Sequence, residues 1–193
     1  MAETDVELML RVKAGDATSF AALLQRYRAP LIHYLNRMVQ DQASAEELAQ
    51  EVFLRVYRAR GRYSPDARFT TWVFKIATNL ALNRVRDNRA QRGAETPMET
   101  LEPLALGGVR DPRRTAEQQM IEQERVRWIR EAVLALPEKQ RAAVILHKYH
   151  DMDYVQIAKI LGCSTSALRS LLFRAYESLR ERLRPLVEAK EQI

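Results

Sequence analysis

Two sets of residues in this 193-residue chain have the types and spacing to bind nucleic acid. The first is Thr165, Ser166, Arg169, Ser170, Phe173 and Arg174, with Ser164 just ahead of them. Arginine can donate two parallel hydrogen bonds to guanine, and serine or threonine can serve a base or a phosphate. The second is Trp72, Lys75, Asn79, Asn83 and Arg86, at i, +3, +7, +11 and +14, which a helix aligns along one face. An opened strand fits such a face: tryptophan stacks, asparagine reads a base edge and the cations neutralise phosphate. A third set is acidic. Glu46, Glu47 and Glu51 beside Leu48, Gln50, Phe53 and Leu54 would repel DNA and suit a protein partner. His147 and His150 with Cys163 could be imagined around zinc, but the fourth ligand is missing. No metal, cofactor, catalytic constellation or glycine-rich phosphate loop is expected, so the chemistry is that of binding, not of an enzyme.

Helices must position these residues. Segment 154–173, YVQIAKILGCSTSALRSLLF, has a helix-turn-helix layout. Ala158 is small where two helices cross, and Gly162 stands where the backbone must turn left-handed. Ile157, Leu161 and Leu168 join the two helices, and Ser164 can cap the second. The stripe Leu168, Leu172, Ala175 and Leu179 is core, which turns the first set outward as a major-groove reader needs. A helix from Phe69 to Arg89, with Val73, Ile76, Ala77 and Leu80 as its core face, carries the second set. Trp72 could belong to either face.

Upstream, apolar spacing predicts helices over 5–14 and 17–39, broken at Gly15-Asp16. Pro30 should kink or interrupt the second. Ser44 with Glu47 reads as a capping box opening a helix to about Arg60. GRYSPDAR (61–68) is a turn around Pro65. Further helices are expected over 116–136, 138–150, 154–161 and 165–187, with Asp153 and Gln156 as a second capping box.

Composition agrees. Hydrophobic residues make up 47%, and with six glycines, seven prolines and abundant Ala, Leu, Arg, Glu and Gln the chain should be all-α. No apolar run exceeds five residues, so no membrane insertion is expected. The opening MAETDVELML lacks a signal pattern and Cys163 stands alone, both of which fit the cytoplasm. Residues 1–87 carry a net +3, residues 88–124 a net −2 and residues 125–193 a net +5. Two basic segments flanking an acidic middle suit a polyanion. Residues 93–115 hold three of the six glycines and three of the seven prolines without a helical stripe. The expected organisation is two small helical domains, 1–92 and 119–193, joined by a flexible linker, 93–118.

With both blocks in place, the chain resembles the small extracytoplasmic-function (ECF) group of bacterial RNA polymerase sigma factors. The resemblance rests on GDATSFAALLQRY, AEELAQEVFLRVYRA (45–59), FTTWVFKIATNLALNRVR (69–86), ALPEKQRAAVIL (135–146) and DYVQIAKILGCSTSALRSLLFRA (153–175), in that order. It implies a protein that binds core RNA polymerase and directs it to promoter DNA. By the same resemblance Glu47, Leu48, Gln50, Glu51 and Phe53 dock on the polymerase. The loop Tyr63–Arg68, with Tyr63 and Arg68 themselves, and the Trp72 helix read and open the −10 element. The helix-turn-helix reads the −35 element as duplex. An anti-sigma factor is a further partner the resemblance admits. Glu47 stands where aspartate is usual, Ser166-Ala167-Leu168 where Gly-Thr-Val is common, and Leu171 where arginine is usual. The rival readings are a stand-alone helix-turn-helix regulator acting without core polymerase, and a helical interaction module with incidental basic faces.

Overall fold

The computed structural model describes residues 3–66, 68–92 and 116–188. Most of the expected linker, 93–118, lies outside the described residues, which resume at Ala116 already in helix. Among the described residues the chain is all-helical. The helices are α1 (Asp5–Lys13), α2 (Ala17–Val39), α3 (Gln42–Arg58), α4 (Phe69–Arg92), α5 (Ala116–Leu134), α6 (Glu138–Tyr149), α7 (Tyr154–Leu161) and α8 (Thr165–Glu188), with a single 3-10 turn at Arg60–Arg62. No described helix is long and apolar enough to cross a membrane.

Local chemistry sets the helix starts. Thr4 and Glu7 form a capping box for α1, and Asp16 caps α2 through the amide of Thr18. Two expectations need correction. Pro30 does not interrupt α2: it removes one amide, while Tyr27, Leu31, Tyr34 and Leu35 continue a single buried face across it. Nor do Ser44 and Glu47 form a capping box. Helix α3 begins three residues earlier, and Asp41 accepts the Ser44 amide at 2.6 Å. The Ser44 hydroxyl and the Glu47 carboxylate both take Arg84 of α4, at 3.2 and 3.0 Å.

Helix α2 is the centre of the first half, packed by α1, α3 and α4. Leu23, Leu31, Leu35 and Met38 meet Val52, Val56, Phe69 and Phe74 in its core. In the second half, residues 142–146 of α6 are all buried, with Ile157, Ile160, Leu168, Leu172 and Ala175.

The halves also pack on each other, α4 against α7 and α2 against α6. The His150 ring lies edge-on to Tyr34, with centroids 5.7 Å apart, and tilted over Phe74 at 4.8 Å. Arg141 donates to the Met38 carbonyl at 3.0 Å and to the carbonyls of Leu134 and Leu136 at 2.6 and 3.3 Å. Arg130 donates to Gln40, which ends α2 in the left-handed region at φ 61°. This seam is incompletely satisfied: Asn36 Oδ1, Arg141 Nε and His150 Nε2 are buried there without a hydrogen-bond partner. Each such atom costs about 1–3 kcal/mol, so the seam is built less tightly than either core.

Candidate nucleic-acid and polymerase interfaces

The turn before α8 is set by the backbone. Asp153 and Gln156 cap α7 reciprocally, at 2.8 and 3.1 Å, as the spacing predicts. Gly162 then turns left-handed at φ 63°, and a Cβ there would meet nothing within 4 Å. Glycine is therefore favoured by conformation and not by space. The Ser164 hydroxyl accepts the Ala167 amide at 3.1 Å and starts α8. Leu168, Leu172 and Ala175 are buried against α6 and α7. That register leaves Ser164, Thr165, Ser166, Arg169, Ser170, Phe173 and Arg174 exposed together, with Phe173 67% exposed. Leu171 is half-buried at the edge of this face. His147 reaches the Tyr176 hydroxyl at 2.8 Å and ties α6 to the same helix.

On α4, Lys75, Asn79, Asn83 and Arg86 are exposed in a row, and Arg68 is exposed just before the helix. Trp72 is half-buried and seated on two rings: Tyr63 at 5.2 Å and Phe69 at 6.0 Å between centroids. Tyr63 faces inward. It is 3% exposed, and burial raises its phenol pKa. Its side chain supports Trp72 here and does not join the exposed row. The aromatic platform is thus Tyr63, Phe69 and Trp72, with polar groups continuing along the helix.

The outward face of α3 is shifted from the one expected. Leu48 and Phe53 are buried at 4% and 6%, because residues 45, 48, 49, 52, 53 and 56 all face α2 and α4. Glu47 and Gln50 are exposed, and half-buried Glu51 pairs with Arg55 at 2.7 Å. Leu54 and Tyr57 extend this face at 49% and 42% exposure. Tyr57 lies seven residues after Gln50, and that spacing alone places it on the same side. Its ring lies tilted against Phe20 at 5.1 Å and under Arg60.

The family described as Sigma-70 region 2 matches residues 23–91, and that described as Sigma-70, region 4 matches residues 126–179. The chain is 32% identical over 190 residues to the RNA polymerase sigma-H factor of Pseudomonas aeruginosa, covering 96% of each chain. It is 30% identical over 185 residues to the ECF RNA polymerase sigma-E factor of Escherichia coli, covering 95% of this chain and 96% of that protein. The chain belongs to the ECF sigma factors. Its fold matches the solved structure of CnrH in complex with the cytosolic domain of CnrY, with a TM-score of 0.70 at 20% identity over 95% of this chain and 99% of that one.

This sigma factor therefore binds core RNA polymerase and directs promoter-specific initiation. The stand-alone regulator is set aside, because the half that would have sensed a ligand is a sigma region 2. So is the helical interaction module, because the other half is a sigma region 4. Of the three groups once weighed as zinc ligands, His147 is spent on Tyr176 and His150 on the seam. Burial, reinforced by Arg37 and His33 and opposed by Asp151, lowers the His150 pKa to about 4, so its ring is neutral at pH 7. Among the described residues no three His, Cys, Asp or Glu are grouped to hold a metal. Helix α1 lies outside both matched segments.

Proposed function

We propose a division of labour among the three faces. The outward side of α3, with Glu47, Gln50, Glu51, Leu54 and Tyr57, docks on core polymerase. Trp72, Lys75, Asn79, Asn83 and Arg86, with Arg68, capture the opened −10 strand, and Tyr63 acts beneath them as a support. The exposed row from Ser164 to Arg174 reads the −35 duplex from the major groove. The functional domains are residues 1–92 and 119–193, with 93–118 between them. The protein works in the cytoplasm beside its polymerase, and the polymerase supplies all the catalysis. A small anti-sigma partner that holds the halves together would silence it.

The observation that carries this reading is the Trp72 platform, continuous with a row of exposed amides and cations. A duplex reader has no use for a half-buried aromatic shelf, whereas an unstacked base does. The two DNA elements are named for positions 25 base pairs apart, about 85 Å of duplex. A packed chain of 193 residues has a radius of gyration of only about 16 Å. The packed halves cannot reach both elements, so the seam must part on the promoter.

Asn79→Ala tests the reading. It should reduce open-complex formation on duplex promoters by about tenfold and more than on templates already melted over the −10 element. Equal loss on both would limit Asn79 to holding the opened strand. No loss on either would remove the α4 face from promoter opening.

A further inference from the structure

We propose that α1, which neither matched segment includes, is a brace that sets the −10 reading platform, with Lys13 and Asp5 as its positioning residues. The inference rests on the proposed role of the α4 face. Lys13, in the last turn of α1, donates from Nζ to the carbonyl of Tyr63 at 3.0 Å, across 50 residues of chain. That carbonyl belongs to the residue whose ring is the floor beneath Trp72. At the other end of α1, Asp5 accepts from the Tyr27 hydroxyl, which in turn meets Thr70 Oγ1 at 2.7 Å. Thr70 is in the first turn of α4, between the platform residues Phe69 and Trp72. Arg26 holds the same Asp5 carboxylate at 2.7 Å. The Tyr27 ring also stands edge-on to Phe69, 5.1 Å away.

Two points about 12 Å apart along α1 thus hold the entry loop and the first turn of α4. The entry loop needs the help. Its described residues between Arg62 and Phe69 form no helical ladder, and the Tyr63 hydroxyl is buried without a partner. Its placement depends on ring packing and on whatever grips its backbone. Rings packed edge-on can slide with little loss; a charged donor on a carbonyl fixes a position. Neither Lys13 nor Asp5 lies in the exposed row proposed to meet DNA. They act through Tyr63, Phe69 and Trp72, so they set how sharply the platform discriminates among bases.

The test uses the sigma factor assembled with core polymerase, presented with duplex DNA randomised over both promoter elements. Sequencing the bound fraction defines the preference at each position. Lys13→Met keeps the stem and removes the donor; Lys13→Arg keeps a donor. We expect Lys13→Met to lower enrichment of the preferred −10 bases by about five- to tenfold, the worth of one such hydrogen bond. Enrichment at −35 and affinity for core polymerase should stay within about twofold, and Lys13→Arg should recover most of the −10 preference. Asp5→Asn should act in the same direction and more weakly. Unchanged −10 enrichment in Lys13→Met, while Asn79→Ala still erases it, overturns the brace and leaves the α4 reading standing. Unchanged enrichment in both variants overturns the α4 reading and the brace together. Equal loss at −10 and −35 in Lys13→Met, unrescued by arginine, reduces Lys13 to general stability and overturns the proposal.

Discussion

The two faces proposed to meet nucleic acid are built in opposite ways. The α8 face takes its turn and its outward register from local devices, while α8 itself also packs on α5 and α6. A capped α7, one left-handed glycine and a serine cap orient the recognition helix, and every one of those contacts spans ten residues or fewer. The α4 face is assembled from distant parts. Trp72 rests on Tyr63 and Phe69, which are held in turn by Lys13, Tyr27 and Asp5. A duplex presents a fixed groove, so its reader needs only a rigid helix at the right angle. An unstacked base must be caught in a shaped seat, and a seat needs walls from several elements. The seam between the halves is the third construction and the least satisfied of the three.

Breaking the seam should separate the faces without erasing the local one. Arg141→Met strands the carbonyls of Met38, Leu134 and Leu136, which its half-buried guanidinium now satisfies. We expect a loss of about 3 kcal/mol in denaturant unfolding and faster protease cleavage between the halves. Binding of duplex −35 DNA, measured below the lowered midpoint, should change less than about twofold. Loss of that binding in a folded variant would show that α8 depends on the seam after all.

His150 gives a gentler version of the same break. Its ring is neutral when packed against Tyr34 and Phe74, with a pKa of about 4 against an ordinary 6.5. Below about pH 6.5 the unfolded chain takes up a proton that the folded ring refuses. The stabilisation is therefore complete above about pH 6.5 and is lost as the pH falls through 4. Allowing for the part of the ring that solvent reaches, the loss should be about 2 kcal/mol. Comparing unfolding midpoints of the native chain and His150→Phe between about pH 7 and about pH 4.5 isolates it. Equal acid sensitivity in both proteins would take His150 out of the seam's energetics.

Leu171→Arg sharpens the local side. Leu171 is half-buried at the edge of the α8 face, so a longer charged side chain can reach solvent. The variant should lose less than about 1 kcal/mol and steepen the salt dependence of duplex binding by about 0.9 in log–log slope, one added phosphate contact. A melt of the whole protein that drops by several kcal/mol, with no change in slope, would place Leu171 in the core.

Much of this was legible in advance where the information is local. The Asp153–Gln156 box, Gly162, Ser164 and the Leu168–Leu172–Ala175 stripe could each be read within a few residues, because capping and helical periodicity are short-range. The α3 face was partly legible. Its period of three and four already placed 48, 52 and 56 inside, and carrying 45, 49 and 53 along the same side would have buried Phe53 as well. The Ser44–Glu47 box failed for a different reason. Asp41 and Ser44 are both competent caps, and nothing nearby ranks them; Arg84, forty residues on, claims the second.

The sequence by itself determined an all-helical chain, the order of its helices, the helix-turn-helix and the outward register of α8, since each follows from backbone satisfaction and apolar spacing within a few turns. Only the tertiary structure decided that Tyr63 turns inward beneath Trp72, that α1 grips the platform, and that His150 and Arg141 close a seam between the halves. Those outcomes depend on which distant surfaces meet. A ring or a guanidinium is buried or exposed according to partners far along the chain, and no local rule names them.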